Sequence, residues 1–243
     1  MRKLNFILLL MLIPALLQVG CKKDEDTPEV PTYKQPSAAS RGEIVTIPEG
    51  LQARADEGTD FGAIIAVSYM GLANAISSFS SSFIIPEGAE VESKKSGSTV
   101  YHWSGGGYSY WMTYAELADK YTWTYDWELP GQSRFTYISA EEQKDAKKGK
   151  WTIYNPETPS VHVWDYNWQI SSSNSFTASL IWNDYDNTRS SFDVVSNADN
   201  SGSFKFFEAT VLKSEIEWNA DGSGTYWISG DGDDDITGNW TAK

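Results

Sequence analysis

The clearest periodicity in the chain lies between residues 61 and 83. Ile65, Tyr69, Leu72, Ile76, Phe79 and Phe83 follow one another at steps of 4, 3, 4, 3 and 4. Those steps keep every one of them on one stripe of an α-helix. Ala63, Ala66, Gly71, Ala73 and Ala75 lie between the stripe positions, and small residues let a helix approach another surface closely. Asp60 stands where a helix start takes a side-chain acceptor, and Pro86 closes the run. The expectation is one long helix packed on a sheet. Ahead of it, Ile44 to Ile47 reads as a short strand stopped by Pro48, and residues 49 to 60 read as polar and irregular.

From Thr99 onward the period falls from 3.6 to 2. Tyr121, Trp123, Tyr125 and Trp127 alternate with Thr122, Thr124, Asp126 and Glu128, so the aromatics share one strand face and the polar set the other. Tyr108, Tyr110, Met112 and Tyr114 repeat the pattern, as do His162, Trp164, Tyr166 and Trp168, and then Phe176, Ala178, Leu180 and Trp182. Turn residues separate the runs: Gly105 to Gly107, Pro130-Gly131, Asn155-Pro156, Asn183-Asp184, Asn200 to Gly202 and Asp221 to Gly224. Short alternating runs with such breaks describe an antiparallel meander of about eleven or twelve strands. The predicted fold is mainly β, a meander or partly closed barrel, with the helix on its aromatic face.

The tail contains an internal repeat. Asn197-Ala198-Asp199 recurs as Asn219-Ala220-Asp221, an offset of 22 residues. Gly202 then matches Gly224, Phe204 matches Tyr226, Phe206 matches Ile228 and Trp218 matches Trp240. Each unit reads as a turn, a glycine, a strand, a turn and a strand ending in Trp.

The first residues carry a different pattern. Arg2 and Lys3 precede the apolar run Phe6 to Leu17, too short for an ordinary membrane span and suited to a secretory signal. The run ends in Leu17-Gln18-Val19-Gly20-Cys21. A small residue directly before a lone cysteine resembles the lipobox of bacterial lipoproteins, with Gln18 standing where that pattern has an aliphatic residue. The resemblance implies cleavage before Cys21 and acylation of its thiol. Cleavage removes two basic and no acidic side chains, so the mature net charge is −16 against −14 for the whole chain. Lys22 and Lys23, followed by Asp24-Glu25-Asp26, resemble the export tether of surface lipoproteins of Bacteroidetes. Pro28, Pro31 and Pro36 with Ser37 to Ser40 continue as a flexible stalk. The chain thus divides into a signal at 1–20, an acylated cysteine and stalk at 21–43, and one domain at 44–243. The expected location is the outer membrane, lipid-anchored and facing the cell surface, with the periplasmic face as the alternative.

Composition sharpens this reading. Aromatics make up 14% of the chain, with 11 Trp, so a core is available despite a mean hydropathy of −0.42. The acidic balance argues against nucleic acid as a partner, because phosphate neutralisation needs a basic face. The partner the leader implies is the lipid bilayer, reached through Cys21.

Taken together, the Cys21 leader, Ile47-Pro48-Glu49, the helix running into Phe83-Ile84-Ile85-Pro86-Glu87-Gly88, and Trp218-Asn219-Ala220-Asp221-Gly222-Ser223-Gly224 resemble a group of uncharacterised lipoproteins of Bacteroidetes. The resemblance covers most of the mature chain. It implies a signal, a helix and a β-meander, and no activity.

Candidate chemistry is sparse. There is no Gly-x-Ser-x-Gly elbow and no dinucleotide or Walker-type glycine pattern. His102 and His162 read as structural residues among aromatics. Asp126 with Glu128, and Glu215 with Glu217, are same-face carboxylate pairs about 7 Å apart along a strand, here read as the polar complement of the core rather than a glycosidase pair. Asp231, Asp233 and Asp235 have the spacing that opens a calcium loop, but Ile236 and Ala242 stand where Gly and Glu belong. No cofactor is expected. The reading is a non-enzymatic envelope lipoprotein with a binding or structural role. Its rival is a barrel that binds a glycan or apolar ligand through Trp123, Trp127, Trp164 and Trp168.

Overall fold

The alternating runs form a single antiparallel sheet whose strands are laid down in strict sequence order. A computed structural model describes residues 33–37, 45–77, 82–95, 97–158, 160–183, 188–230, 232 and 234–242. Its 13 strands are β1 (Glu90–Lys95), β2 (Ser98–Gly105), β3 (Tyr108–Glu116), β4 (Lys120–Glu128), β5 (Phe135–Gln143), β6 (Lys148–Tyr154), β7 (His162–Ile170), β8 (Phe176–Asn183), β9 (Arg189–Ser196), β10 (Gly202–Glu208), β11 (Val211–Trp218), β12 (Gly224–Ile228) and β13 (Ile236–Trp240). Each pairs only with its sequence neighbours, so the sheet is an open meander and not a closed barrel. The helices among the described residues are α1 (Glu49–Asp56) and α2 (Phe61–Ser77).

Register carries the aromatic face across the sheet. Thr99, Tyr114, Trp123, Ala140, Trp151, Tyr166, Leu180, Phe192 and Phe206 stand opposite one another from β2 to β10. All but Phe206 are buried. The other parity collects Thr113, Thr124, Ser139, Thr152 and Asp165 on the outer face.

α2 starts where the sequence places it. The Asp60 carboxylate accepts a hydrogen bond from the Ala63 N–H at 3.0 Å, the side-chain cap of a helix start. Its buried stripe differs from the expected one. Ala63, Ala66, Met70 and Ala73 are fully buried, whereas Leu72 is 40% exposed. The sheet face is already filled by large rings, so the helix turns its small side toward it. A Cβ at Gly62 would stand 2.3 Å from the Tyr226 ring. Tyr69, at the margin of the buried side, stacks on Phe204 and Phe206 at 5.8 and 5.1 Å. Beyond Ser77, Phe79 lies outside the described residues, and Phe83 sits in a 3₁₀ turn packed on Trp123 and Trp151.

Two further expectations are corrected before the helix. Residues 49 to 56 are helical, not irregular. No strand forms at Ile47; instead the Val45 backbone N–H and C=O bond to the Asn74 side-chain amide, each at 2.8 Å. The amide supplies locally the donor and acceptor that a neighbouring strand would have supplied. α1 has its own task at the sheet edge. Arg54 donates to the Asn239 carbonyl, and a Cβ at Gly50 would stand 2.2 Å from the Thr241 carbonyl oxygen. A polar helix therefore covers the open edge at β13. The edge at β1 carries exposed Glu90 and Glu92 and a bulge between Val91 and Ser93. Both devices discourage edge-to-edge pairing.

Asp60 joins the helices to the sheet. Besides capping α2, it accepts from the Tyr226 hydroxyl at 2.5 Å and pairs with Arg54. Burial opposes its ionisation, but the bonds from Tyr226, Ala63 and Arg54 outweigh burial and hold the carboxyl below its ordinary range. A pKa lowered by folding stabilises fully above the unfolded value of about 4, and the contribution is lost as pH falls through the folded value. Asp60→Asn keeps an acceptor for the cap and removes the charge. Its melting temperature is expected to lie below wild type at neutral pH and to converge on it as pH falls through the folded Asp60 value, below which both side chains are neutral. A gap that persists undiminished in acid would overturn this account.

Candidate functional site

The aromatic face is covered at several places by the chain itself. The Tyr33 hydroxyl donates to the Phe83 carbonyl at 2.6 Å, and Tyr33 packs edge-on against Tyr101 and Tyr114. The Trp123 indole N–H donates to the Lys34 carbonyl at 2.8 Å. Ser37 closes the strap: its backbone N–H and hydroxyl both donate to the buried Glu142 carboxylate, at 2.6 and 2.7 Å. Burial raises the Tyr33 phenol far above its ordinary pKa, with Tyr101 and Tyr114 adding to the shift.

This arrangement sorts the four candidate tryptophans. Trp123 and Trp168 are 1% and 2% exposed and lie within the core. Trp127 and Trp164 are half-buried, at one end of the face. Around Trp127 the rings form a continuous stack: Trp103 on Tyr110 at 5.8 Å, Tyr110 edge-on to Trp127 at 5.9 Å, and Trp127 on Tyr137 at 4.0 Å. Burial pushes the Tyr137 hydroxyl up to about 12.

Asp126 and Glu128 separate. Asp126 is buried and fully engaged: Arg134 donates to one oxygen at 2.9 and 2.6 Å, and Thr136 to the other at 2.9 Å. Glu128 is exposed. The Arg134 guanidinium also lies 4.4 Å above Trp111, whose other neighbour is the His102 ring at 4.9 Å. His162 pairs with Asp165 at 3.1 Å, sixty residues from His102 in sequence and on the far strand β7.

Cys21, Asp231 and Asp233 lie outside the described residues. Asp235 is described, and its carboxylate accepts from the Trp227 indole at 2.8 Å and from the Gly230 N–H at 3.2 Å. Among the described residues, no group of three or more His, Cys, Asp or Glu is arranged to hold a metal ion.

The remaining carboxylate pair has a neighbour that the strand pattern alone did not single out. Glu215 and Glu217 line a groove of about 440 Å³ on the outer face of β11 to β13, together with Thr225, Trp227, Thr237 and Asn239. Trp227 stands directly opposite Glu215 in the register. The signal was present: Trp227 occupies the polar parity of its strand, out of phase with Tyr226 and Ile228. Lys205 Nζ holds Glu215 at 2.6 Å, and this pairing raises the Lys205 pKa.

Compared with models of protein families and with curated proteins, the chain matches none.

Proposed function

We propose that the protein is a lipid-anchored component of the bacterial envelope, acylated at Cys21 and displayed at the outer surface, whose β-meander works as a non-enzymatic binding or structural module. The observation that carries the reading is Gly20-Cys21 at the end of the Phe6–Leu17 apolar run, followed by the Lys22–Asp26 charge switch. Several acyl chains on one cysteine give stable membrane attachment, since each buried methylene adds about 0.8 kcal/mol. The stretch after Cys21 then joins the anchor to Tyr33, where the chain, read from the sequence as stalk, already docks on the sheet. In support of a non-catalytic role, Asp126 already spends its acceptor capacity on Arg134 and Thr136.

The rival reading, a ligand on the aromatic face, draws its support from the half-buried band of Trp103, Tyr110, Trp127 and Trp164.

Anchoring is tested by Cys21→Ser in the full chain. The variant is expected to leave the membrane fraction and to lose incorporation of labelled palmitate. Unchanged membrane retention sinks the lipoprotein reading. Protease shaving of intact cells separates surface display, where the domain is cut, from the periplasmic face, where it is protected.

A further inference from the structure

We propose that the outer-face groove over β11–β13 is a glycan site that stacks a neutral pyranose on Trp227. The proposal rests on reading the domain as a binding module, and it does not depend on how the chain is anchored.

Two tryptophans break the parity of this sheet and face outward. Trp111 is covered by the Arg134 guanidinium at 4.4 Å and is 9% exposed, so it has no free ring face to offer. Among the described residues no cation covers Trp227, which is half-buried and lines an open trough. Its one polar atom is engaged: the indole N–H bonds to Asp235, which the Gly230 N–H holds in turn. That bond fixes the ring plane without consuming its face. A pre-oriented ring loses little freedom on binding, which is how rigid aromatic anchors favour affinity.

The groups around the ring fit the edge of a sugar. A pyranose presents an apolar C–H face bordered by hydroxyls that both donate and accept. Glu217 supplies an acceptor, while Thr225, Thr237 and Asn239 supply both functions. A purely apolar ligand would desolvate these polar groups without return. A cation would need the ring and carboxylates but not the hydroxyl and amide donors. An acidic sugar would meet Glu217, which stands exposed beside a Glu215 already neutralised by Lys205 at 2.6 Å. The trough spans three strands, about 10 Å, and is open to solvent along its length, with a volume of about 440 Å³. Binding rather than hydrolysis is inferred from the carboxylates' setting: Glu217 is open to water and Glu215 is ion-paired with Lys205.

The test is native affinity electrophoresis of the full-length chain, purified in detergent, through gels holding hydroxyethylcellulose, arabinoxylan, galactomannan or soluble starch, with polygalacturonate as the acidic comparator. At least one neutral polymer is expected to retard the protein. Trp227→Ala should weaken that retardation about tenfold. Trp227→Phe, which keeps a ring but loses the Asp235 bond, should fall between, and Glu217→Gln should weaken binding without altering the melting temperature. Trp127→Ala on the opposite, aromatic face should bind as wild type. If Trp227→Ala does not fold, Trp227→Phe and Glu217→Gln carry the test. No retardation by any neutral polymer, retardation by polygalacturonate alone, or wild-type retardation in the Trp227 and Glu217 variants overturns the proposal. Membrane retention is scored separately, so loss of glycan binding leaves the anchoring result standing.

Discussion

Replacing Trp123 with alanine should lower the melting temperature by about 10 °C. The ring is 1% exposed and sits between Phe83 at 6.3 Å, Tyr114 at 5.9 Å and Tyr121 at 6.1 Å. Truncating a buried Trp to Ala costs about 3–5 kcal/mol, and in a domain of this size each kcal/mol is worth about 2–4 °C. The same residue ties down the N-terminal strap through its bond to the Lys34 carbonyl. Trp123→Phe separates the two roles. It keeps most of the packing and removes a hydrogen bond worth about 1 kcal/mol, a factor of about five in the open fraction of the strap. Trypsin cleavage after Lys34 should accelerate by that factor, while the melting temperature drops only slightly. The Lys34 ammonium lies 4.1 Å above the Tyr121 ring, so the strap retains a second hold that keeps the effect moderate. A shift below about 3 °C for the alanine variant, or no change in the Lys34 cut for the phenylalanine variant, would contradict the packing described.

Trp123 also marks where sequence patterning succeeds. Strand parity is visible because each side chain alternates between a dry face and a wet one, so Tyr121 to Trp127 announce their own geometry. The parts that escaped are set by partners distant in sequence. α1 has Leu51 as its buried residue and otherwise reads as polar chain, because its role is to cover the backbone of β13 nearly two hundred residues away. α2 shows a conspicuous stripe of large residues, yet the facing sheet is already full, so the less conspicuous alanine stripe is the one buried. Val45 pairs with an amide twenty-nine residues on, which no local propensity encodes. The outer-face groove was half visible. Glu215 and Glu217 stand out as a pair, but their significance depends on Trp227, brought opposite Glu215 only by the β11–β12 register. An aromatic at a polar position was the clue, and Trp111 shows why it is not decisive: there an arginine from the β4–β5 turn covers the ring.

The 22-residue repeat leads to the second large effect, because its glycines are spaces built for rings. In each unit the Trp at the end of one strand lies over the glycine that opens the preceding one: Trp218 over Gly202, and Trp240 over Gly224. Each indole then donates to the turn's left-handed residue, Trp218 to the Asn200 carbonyl at 2.9 Å and Trp240 to the Gly222 carbonyl at 2.6 Å. Asn200 at φ 68° and Gly222 at φ 83° occupy the same turn position, and Asp199 and Asp221 accept from Ser201 and Ser223 in matching bonds. A Cβ at Gly202 would stand 2.3 Å from both the Trp218 ring and the Val195 carbonyl oxygen; at Gly224 it would stand 2.3 Å from Trp240 and from the Glu217 carbonyl oxygen. The ring could shift, but the strand backbone cannot without losing its ladder. Gly202→Ala and Gly224→Ala should therefore each cost about 3 kcal/mol, at the upper end of overpacking effects. Gly149 repeats the arrangement under Trp168 with looser distances of 2.7 and 2.8 Å, so Gly149→Ala should cost less, about 1–2 kcal/mol. Gly71, in α2 with nothing within 4 Å of its missing Cβ, should instead gain about 0.5–1 kcal/mol from alanine. Adding Trp218→Ala to Gly202→Ala should fail to restore stability, because the contact with the Val195 carbonyl remains and a core ring is lost. Chemical denaturation of the variants reads these differences directly. Equal losses at positions 149 and 202, or a gain at 202, would mean that the Trp-over-Gly contact does not set the register of these hairpins.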